Sequence, residues 1–190
     1  LGWIQYEKIK WLQNNNPEVP GLVYKLEPMN EKMRKLNNVR KLWEGVLDLS
    51  TVRDVFTDEI VKPKEYDVDH FIPWSFVMND ELWNLMPMDS SLNSSKSNKL
   101  PKWDPFFERF AANQYLLYGF IHEKAGIHKL YEGCFRDNLH SIWAGQELYR
   151  KGNSREEFYN ILQKNMQPVY DSARRQGYEI WKDPDAYKGM

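Results

Sequence analysis

From Tyr66 to Pro101 the chain carries two short apolar runs, a polar break between them, and a serine-rich segment capped at one end and stopped at the other. Tyr66 to Ile72 alternates loosely and reads as a strand halted by Pro73. Asp80-Glu81 falls in a loop, and Leu82 to Met88, apolar around Asn84, reads as a second strand. Asp89 or Ser90 is the expected N-cap of a short helix running to about Lys99, before Pro101. Strand, loop, strand, helix is therefore the expected order. A unit this small needs bracing from the rest of the chain.

Polar residues in this stretch fall in a chemically pointed order: Asp69-His70, Asn84, Asn93 and Lys96. Cutting a phosphodiester needs a base for water, a cation to offset charge on the phosphate, and a scaffold to hold both. His accepts protons near neutral pH. A hard cation takes oxygen ligands, few of them from protein, and Asp69 and Asn93 both supply oxygen. Neighbouring strand residues face opposite ways, so Asp69 and His70 flank one phosphate only if the strand ends, bends or bulges there. Asn84 is placed to fix the intervening loop or to orient His70. Lys96, one turn beyond Asn93, is placed to reach a phosphate oxygen. Singly each residue is weak evidence; the ordered set is what counts.

The flanks read as helical. Asn30 to Leu49 repeats Met33, Leu36, Val39, Trp43 and Val46 at spacings of three and four, with Lys32, Arg34, Lys35, Arg40 and Lys41 opposite. That basic face is either solvated or contacts phosphate. Leu1 to Leu12 reads as a short helix, Pro17 to Pro28 as a loop, Thr51 to Phe56 as a helical extension or a short second helix, and Glu59 to Val61 as a short strand. Downstream, helices are expected from Asp104-Pro105 to Gly126, over Ile127 to Glu132, over Leu139 to Arg150, and from a capping box at Ser154 to Gly177 with a kink or restart at Pro168. The fold class is α+β, mostly helical. The expected organisation is an N-terminal helical segment 1–56, a two-strand-and-helix module 57–103, and a C-terminal helical segment 104–190.

With 42% hydrophobic residues and eight Trp, the 190-residue chain can bury a sizeable core. A net charge of -1 excludes a uniformly basic nucleic-acid coat, so nucleic acid must be met by a local patch. Single Cys134 excludes an internal disulfide and a four-Cys zinc site, and a reducing, cytoplasmic setting is expected. No apolar run reaches membrane-spanning length and no secretory leader is visible, so no membrane role is expected. The chain opens with Leu rather than Met, which reads as the C-terminal part of a longer protein.

The central stretch resembles the HNH, or His-Me finger, ββα-metal endonucleases. The likeness is carried by Asp69-His70-Phe71-Ile72-Pro73, Asn84-Leu85, Asn93 and Lys96, with Asn rather than His in the last family position. It is most similar to the HNH domain of type II CRISPR RNA-guided nucleases, through Tyr66-Asp67-Val68-Asp69-His70, the continuation Pro73-x-Ser75-Phe76, and spacings of 14 and then 9 residues to the two Asn. The resemblance implies a ββα-metal module with His70 as general base and Asn84 as the Asn that positions the His loop. It implies Asp69 and Asn93 as ligands of one Mg²⁺, or another divalent ion such as Mn²⁺. DNA is the expected substrate, with RNA the alternative, and the products would carry a 5′-phosphate and a 3′-hydroxyl. Paired CxxC motifs, which staple many family members with zinc, are absent, so flanking helices must brace the module.

Two other readings stand beside a free endonuclease. One is an HNH-fold module that grips nucleic acid or a partner without cutting. The other is the nuclease part of a larger complex, such as a defence system. One metal and one base cut one strand, so a duplex break needs a second copy or a second encounter. Outside the set, His122, His128 and His140 read as caps or core residues, Trp74 and Trp83 as packing, Cys134 as a buried small side chain, and Asp67 as a solvent-facing carboxylate or a support for the site.

Overall fold

The expected sheet forms from two four-residue strands. Strand β1 (Asp67–His70) pairs antiparallel with β2 (Leu85–Met88), placing Asp67 opposite Met88 and His70 opposite Leu85. A computed structural model describes residues 2–16, 19, 22, 36–137 and 141–182. Burial alternates along β1, with Val68 and His70 inward and Asp67 and Asp69 outward. All of β2 is buried.

Around this sheet lie the helices α1 (Gly2–Asn15), α2 (Asn37–Leu47), α3 (Trp74–Val77), α4 (Ser90–Lys96), α5 (Phe106–Glu123), α6 (Ala125–Asp137) and α7 (Arg155–Arg175). The architecture is α+β and mostly helical, as expected. Helix α4 follows β2 directly. Its cap is Asp89, whose carboxylate accepts from the N–H groups of Ser91 and Leu92. It stops at Lys96, short of the expected Lys99, because Ser97 turns to φ 47°.

One hydrophobic core takes residues from all three expected segments: Trp43 and Val46 of α2, Phe71 and Leu85 of the sheet unit, and Phe110, Leu162 and Met166 of the later helices. Helix α2 packs chiefly on α6. Gly45 permits that approach, since a Cβ there would stand 2.8 Å from Ile127 Cδ1. Helix α5 backs β2, where Gln114 Nε2 donates to Leu85 O at 2.7 Å. The C-terminal arm closes on the end of the sheet unit. Leu100 N–H donates to Glu179 O, Trp181 N–H returns to Leu100 O, and Tyr170 Oη donates to Pro101 O. Without a zinc staple, these contacts hold the small sheet and α4 in register.

Several expectations shift. Thr51 to Phe56 forms a turn rather than a helix. Asp54 Oδ1 accepts from Phe56 and Thr57 N–H, an alternative to helical hydrogen bonding. Glu59 to Val61 contributes an isolated bridge, Arg53 to Ile60, and no full strand. The second strand starts only at Leu85, because Leu82–Asn84 forms a tight 3₁₀ turn. The helix after Asp104-Pro105 begins at Phe106 without a side-chain cap. Ile127 to Glu132 is the middle of a longer helix. Within Leu139 to Arg150, Ala144–Leu148 forms a single π turn. The capping box is present, with Ser154 and Glu157 bonded reciprocally, and α7 runs through Pro168 to a glycine, Gly177, at φ 93°. The expected helix over Asn30 to Lys35 and most of the loop Pro17 to Pro28 lie outside the described residues, as does His140.

Candidate active site

β1 ends at His70, directly before the Phe71-Ile72-Pro73 turn, which meets the requirement for a strand end at the Asp-His pair. Asp69 and His70 still face opposite sides of the strand. Asn84 supports the turn between them and Pro73. Its Oδ1 accepts from Ile72 N–H and its Nδ2 donates to Ile72 O, both at 2.8 Å, while Phe71 N–H donates to Asn84 O. Asn84 is fully buried, so both edges of its amide are spent on one residue of the loop after His70.

His70 is fully buried. Its Nε2 lies 3.0 Å from Asn79 O and 3.1 Å from Asp80 Oδ1. A backbone carbonyl only accepts, so in this arrangement Nε2 carries a proton, and Nδ1 is the basic nitrogen of the neutral ring. Asn79 and Asp80 are buried too, and Glu81 beside them anchors the loop. Glu81 accepts from Trp83 Nε1 at 2.7 Å, from Ser141 N–H at 2.8 Å and from Ser141 Oγ at 2.9 Å. Burial pushes the Glu81 carboxyl above its ordinary pKa despite these bonds. The sequence shows Asp80-Glu81 only as a loop. Two adjacent carboxylates inside an otherwise apolar stretch were the available signal.

On the other face of β1, Asp69 meets Lys96. Lys96 Nζ donates to Asp69 Oδ2 and to His70 O, each at 2.7 Å, and its side chain is fully buried. Lys96 thus turns inward onto the strand instead of out toward solvent. Desolvation lowers its pKa, against the pull of Asp69. Three residues earlier on the same face of α4, Asn93 Nδ2 donates to Asp67 Oδ2 at 3.3 Å. Helix α4 therefore lies across the outward face of β1 and brings Asn93 to the strand that carries Asp67 and Asp69.

Asp69 and Asn93 offer a carboxylate and an amide oxygen, the donor type a hard divalent cation takes. Among the described residues no group of three or more His, Cys, Asp or Glu is placed to hold a metal ion. By donor chemistry, Asp69 and Asn93 would suit a cation that takes its remaining ligands from water and phosphate. The ammonium on Asp69 Oδ2 marks that oxygen as a place where positive charge is held.

Among the described residues outside this cluster, His122 and His128 each contact a backbone carbonyl. His122 Nε2 lies 3.1 Å from Tyr149 O, and His128 Nδ1 lies 3.2 Å from Ile121 O. Trp83 is buried against Trp143, with ring centres 5.4 Å apart. Asp54 carries no local sequence signal. Its carboxylate also accepts from Asp89 N–H at 3.0 Å, tying the turn before the sheet to the cap of α4.

Residues 49–102 match the family model described as HNH endonuclease. No curated protein matches the chain. The matched span runs from the Asp54 turn through both strands and α4, and ends where the C-terminal arm docks at Leu100. That segment, with its two strands, its helix and its Asp-His pair, belongs to the HNH endonuclease family.

Proposed function

We propose that this chain hydrolyses phosphodiester bonds in DNA one strand at a time, with His70 as general base and Asp69 and Asn93 holding one Mg²⁺-type ion. Membership of the matched segment in the HNH endonucleases makes it a nuclease module acting on nucleic acid. One observation supports the finer reading above others: α4 brings Asn93 to Asp67 on the outward face of β1, the face that also carries Asp69, with His70 next in the chain. A bound divalent cation would supply charge neutralisation at the phosphate and at the leaving oxygen. Asp69 and Asn93 contribute oxygen donors to it. His70 takes the proton from the attacking water through Nδ1, while Asp80, 3.1 Å from Nε2, holds the far side of the ring. Asn84 keeps the turn after His70 in place. The products carry a 5′-phosphate and a 3′-hydroxyl.

Full burial of His70 favours a second reading, in which the module works inside a larger assembly. There, substrate or a partner moves the Asn79–Asp80 loop off the ring. Plasmid nicking in Mg²⁺ by the wild type, His70→Ala, Asp69→Ala and Asn93→Ala tests the catalytic reading. Loss of nicking in all three variants is expected. Equal nicking by all four proteins would sink the mechanism. Binding without product in the wild type would favour a non-cutting module, or one that cuts only within its assembly.

A further inference from the structure

Helix α2 lies outside the segment that matches the family, yet it reaches the candidate site through Arg40. Arg40 Nη1 donates to Tyr66 O at 2.8 Å, and Tyr66 Oη donates back to Arg40 O at 3.1 Å. The guanidinium also sits over the Tyr66 ring, 5.5 Å from its centre. So anchored, Arg40 Nη2 stands 3.8 Å from Asp67 Oδ1. The other oxygen of Asp67 accepts from Asn93 Nδ2. One carboxylate is thus held by α2 on one side and engages α4 on the other.

This arrangement has a chemical consequence for Asn93. An ionised carboxylate only accepts, so Asn93 must show Asp67 its NH₂ edge and turn Oδ1 away from it. Only the oxygen edge of an amide ligates a hard cation. We infer that Asp67 and Arg40 are positioning residues that fix which edge of Asn93 is presented to the cation. The inference rests on the reading above that Asn93 is a ligand. It draws a helix outside the family segment into the working of the site.

A role in stability alone does not account for the pair. The Arg40 and Asp67 side chains are 44% and 39% exposed, and ion pairs that open to water contribute little. Simple electrostatics makes the opposite prediction, because removing a positive charge beside a cation site strengthens cation binding.

The test is Mn²⁺ affinity of the full chain, read by calorimetry or by the electron paramagnetic resonance signal of free Mn²⁺. R40Q is expected to bind Mn²⁺ about tenfold more weakly than wild type, the scale typical of lost ligand support. D67N should weaken binding similarly. R40K restores the charge without the planar fork and should recover only part of the loss. Melting temperatures within about 4 °C of wild type would show that the variants fold. Should R40Q fail to fold, R40K carries the test: its charge is unchanged, so electrostatics alone leaves Mn²⁺ affinity at the wild-type value, and an R40K affinity at that value overturns the inference. Mn²⁺ binding by R40Q as tight as wild type or tighter, while D69A has lost binding, overturns the inference and leaves the cation site standing. A raised KM for DNA in R40Q with unchanged Mn²⁺ affinity also overturns it, and makes Arg40 a phosphate contact. Full Mn²⁺ affinity in D69A overturns the cation reading and this inference together.

Discussion

Lys96 and Asp69 form an ion pair of 2.7 Å between α4 and β1, with the ammonium fully buried and the carboxylate side chain only 15% exposed. The same ammonium caps His70 O, so one side chain joins the helix to both residues of the Asp-His pair. Lys96→Met keeps the length but strips Asp69 and the His70 carbonyl of their donor. Breaking a buried pair from one side costs about 3–5 kcal/mol, or roughly 10 °C in Tm for a chain of this size. Millimolar Mg²⁺ should raise the Tm of Lys96→Met more than that of wild type, since a cation can replace the ammonium on Asp69. Melting curves with and without Mg²⁺ check both. An equal Mg²⁺ response in the two proteins would show that ammonium and cation do not share the carboxylate.

Asn84→Ala removes both amide contacts to Ile72 and leaves two buried backbone groups unsatisfied. At about 1–3 kcal/mol each, the expected loss is roughly 2–6 kcal/mol. Urea unfolding followed by Trp fluorescence measures it. A loss under about 0.5 kcal/mol would mean that water or a rearranged turn satisfies Ile72.

Glu81 links stability to pH. Its pKa is raised by burial in the folded chain, so the folded state holds the proton more tightly than the unfolded state. The Glu81 contribution is therefore greatest below the unfolded value, about 4.3, and declines as pH rises from there through the folded pKa. Melting wild type and Glu81→Gln between pH 4 and pH 7 should show the wild type losing ground to the variant as pH increases. A difference that stays flat across this range would separate Glu81 ionisation from folding.

Asp54 makes three hydrogen bonds to backbone N–H groups, those of Phe56, Thr57 and Asp89. Asp54→Ala should cost about 2–4 kcal/mol, because three donors in a largely closed setting lose their acceptor. Asp89→Ala, which removes only the α4 cap, should cost about 1 kcal/mol. If the Asp54 variant is no less stable than the Asp89 variant, the link across to α4 carries no weight.

The features legible in the residues alone are those of local chemistry. Alternation and Pro73 placed β1, the Asp89 cap placed the start of α4, and the Ser154-Glu157 box placed the start of α7, because each signal acts within a few residues of itself. The order Asp69, His70, Asn84, Asn93 was legible for the same reason. Tertiary structure alone decided what those residues touch. Lys96 reads as a cation placed to reach a phosphate oxygen, and only the seating of α4 on β1 buries it against Asp69. Arg40 reads as one of several basic residues on a helix face, and only packing of α2 beside Tyr66 brings it to Asp67. Asp54 and Asp89 stand 35 residues apart, and Glu81 and Ser141 stand 60 apart. Contacts between carboxylates and donors so distant in the chain leave no periodicity behind. They exist because burial in a shared core makes an unpaired polar group costly, and the fold must bring each one a partner. The Asp-His pair at the end of β1 was thus readable from its neighbours, while the loop that covers His70 and the cation that holds Asp69 were set by the packing around them.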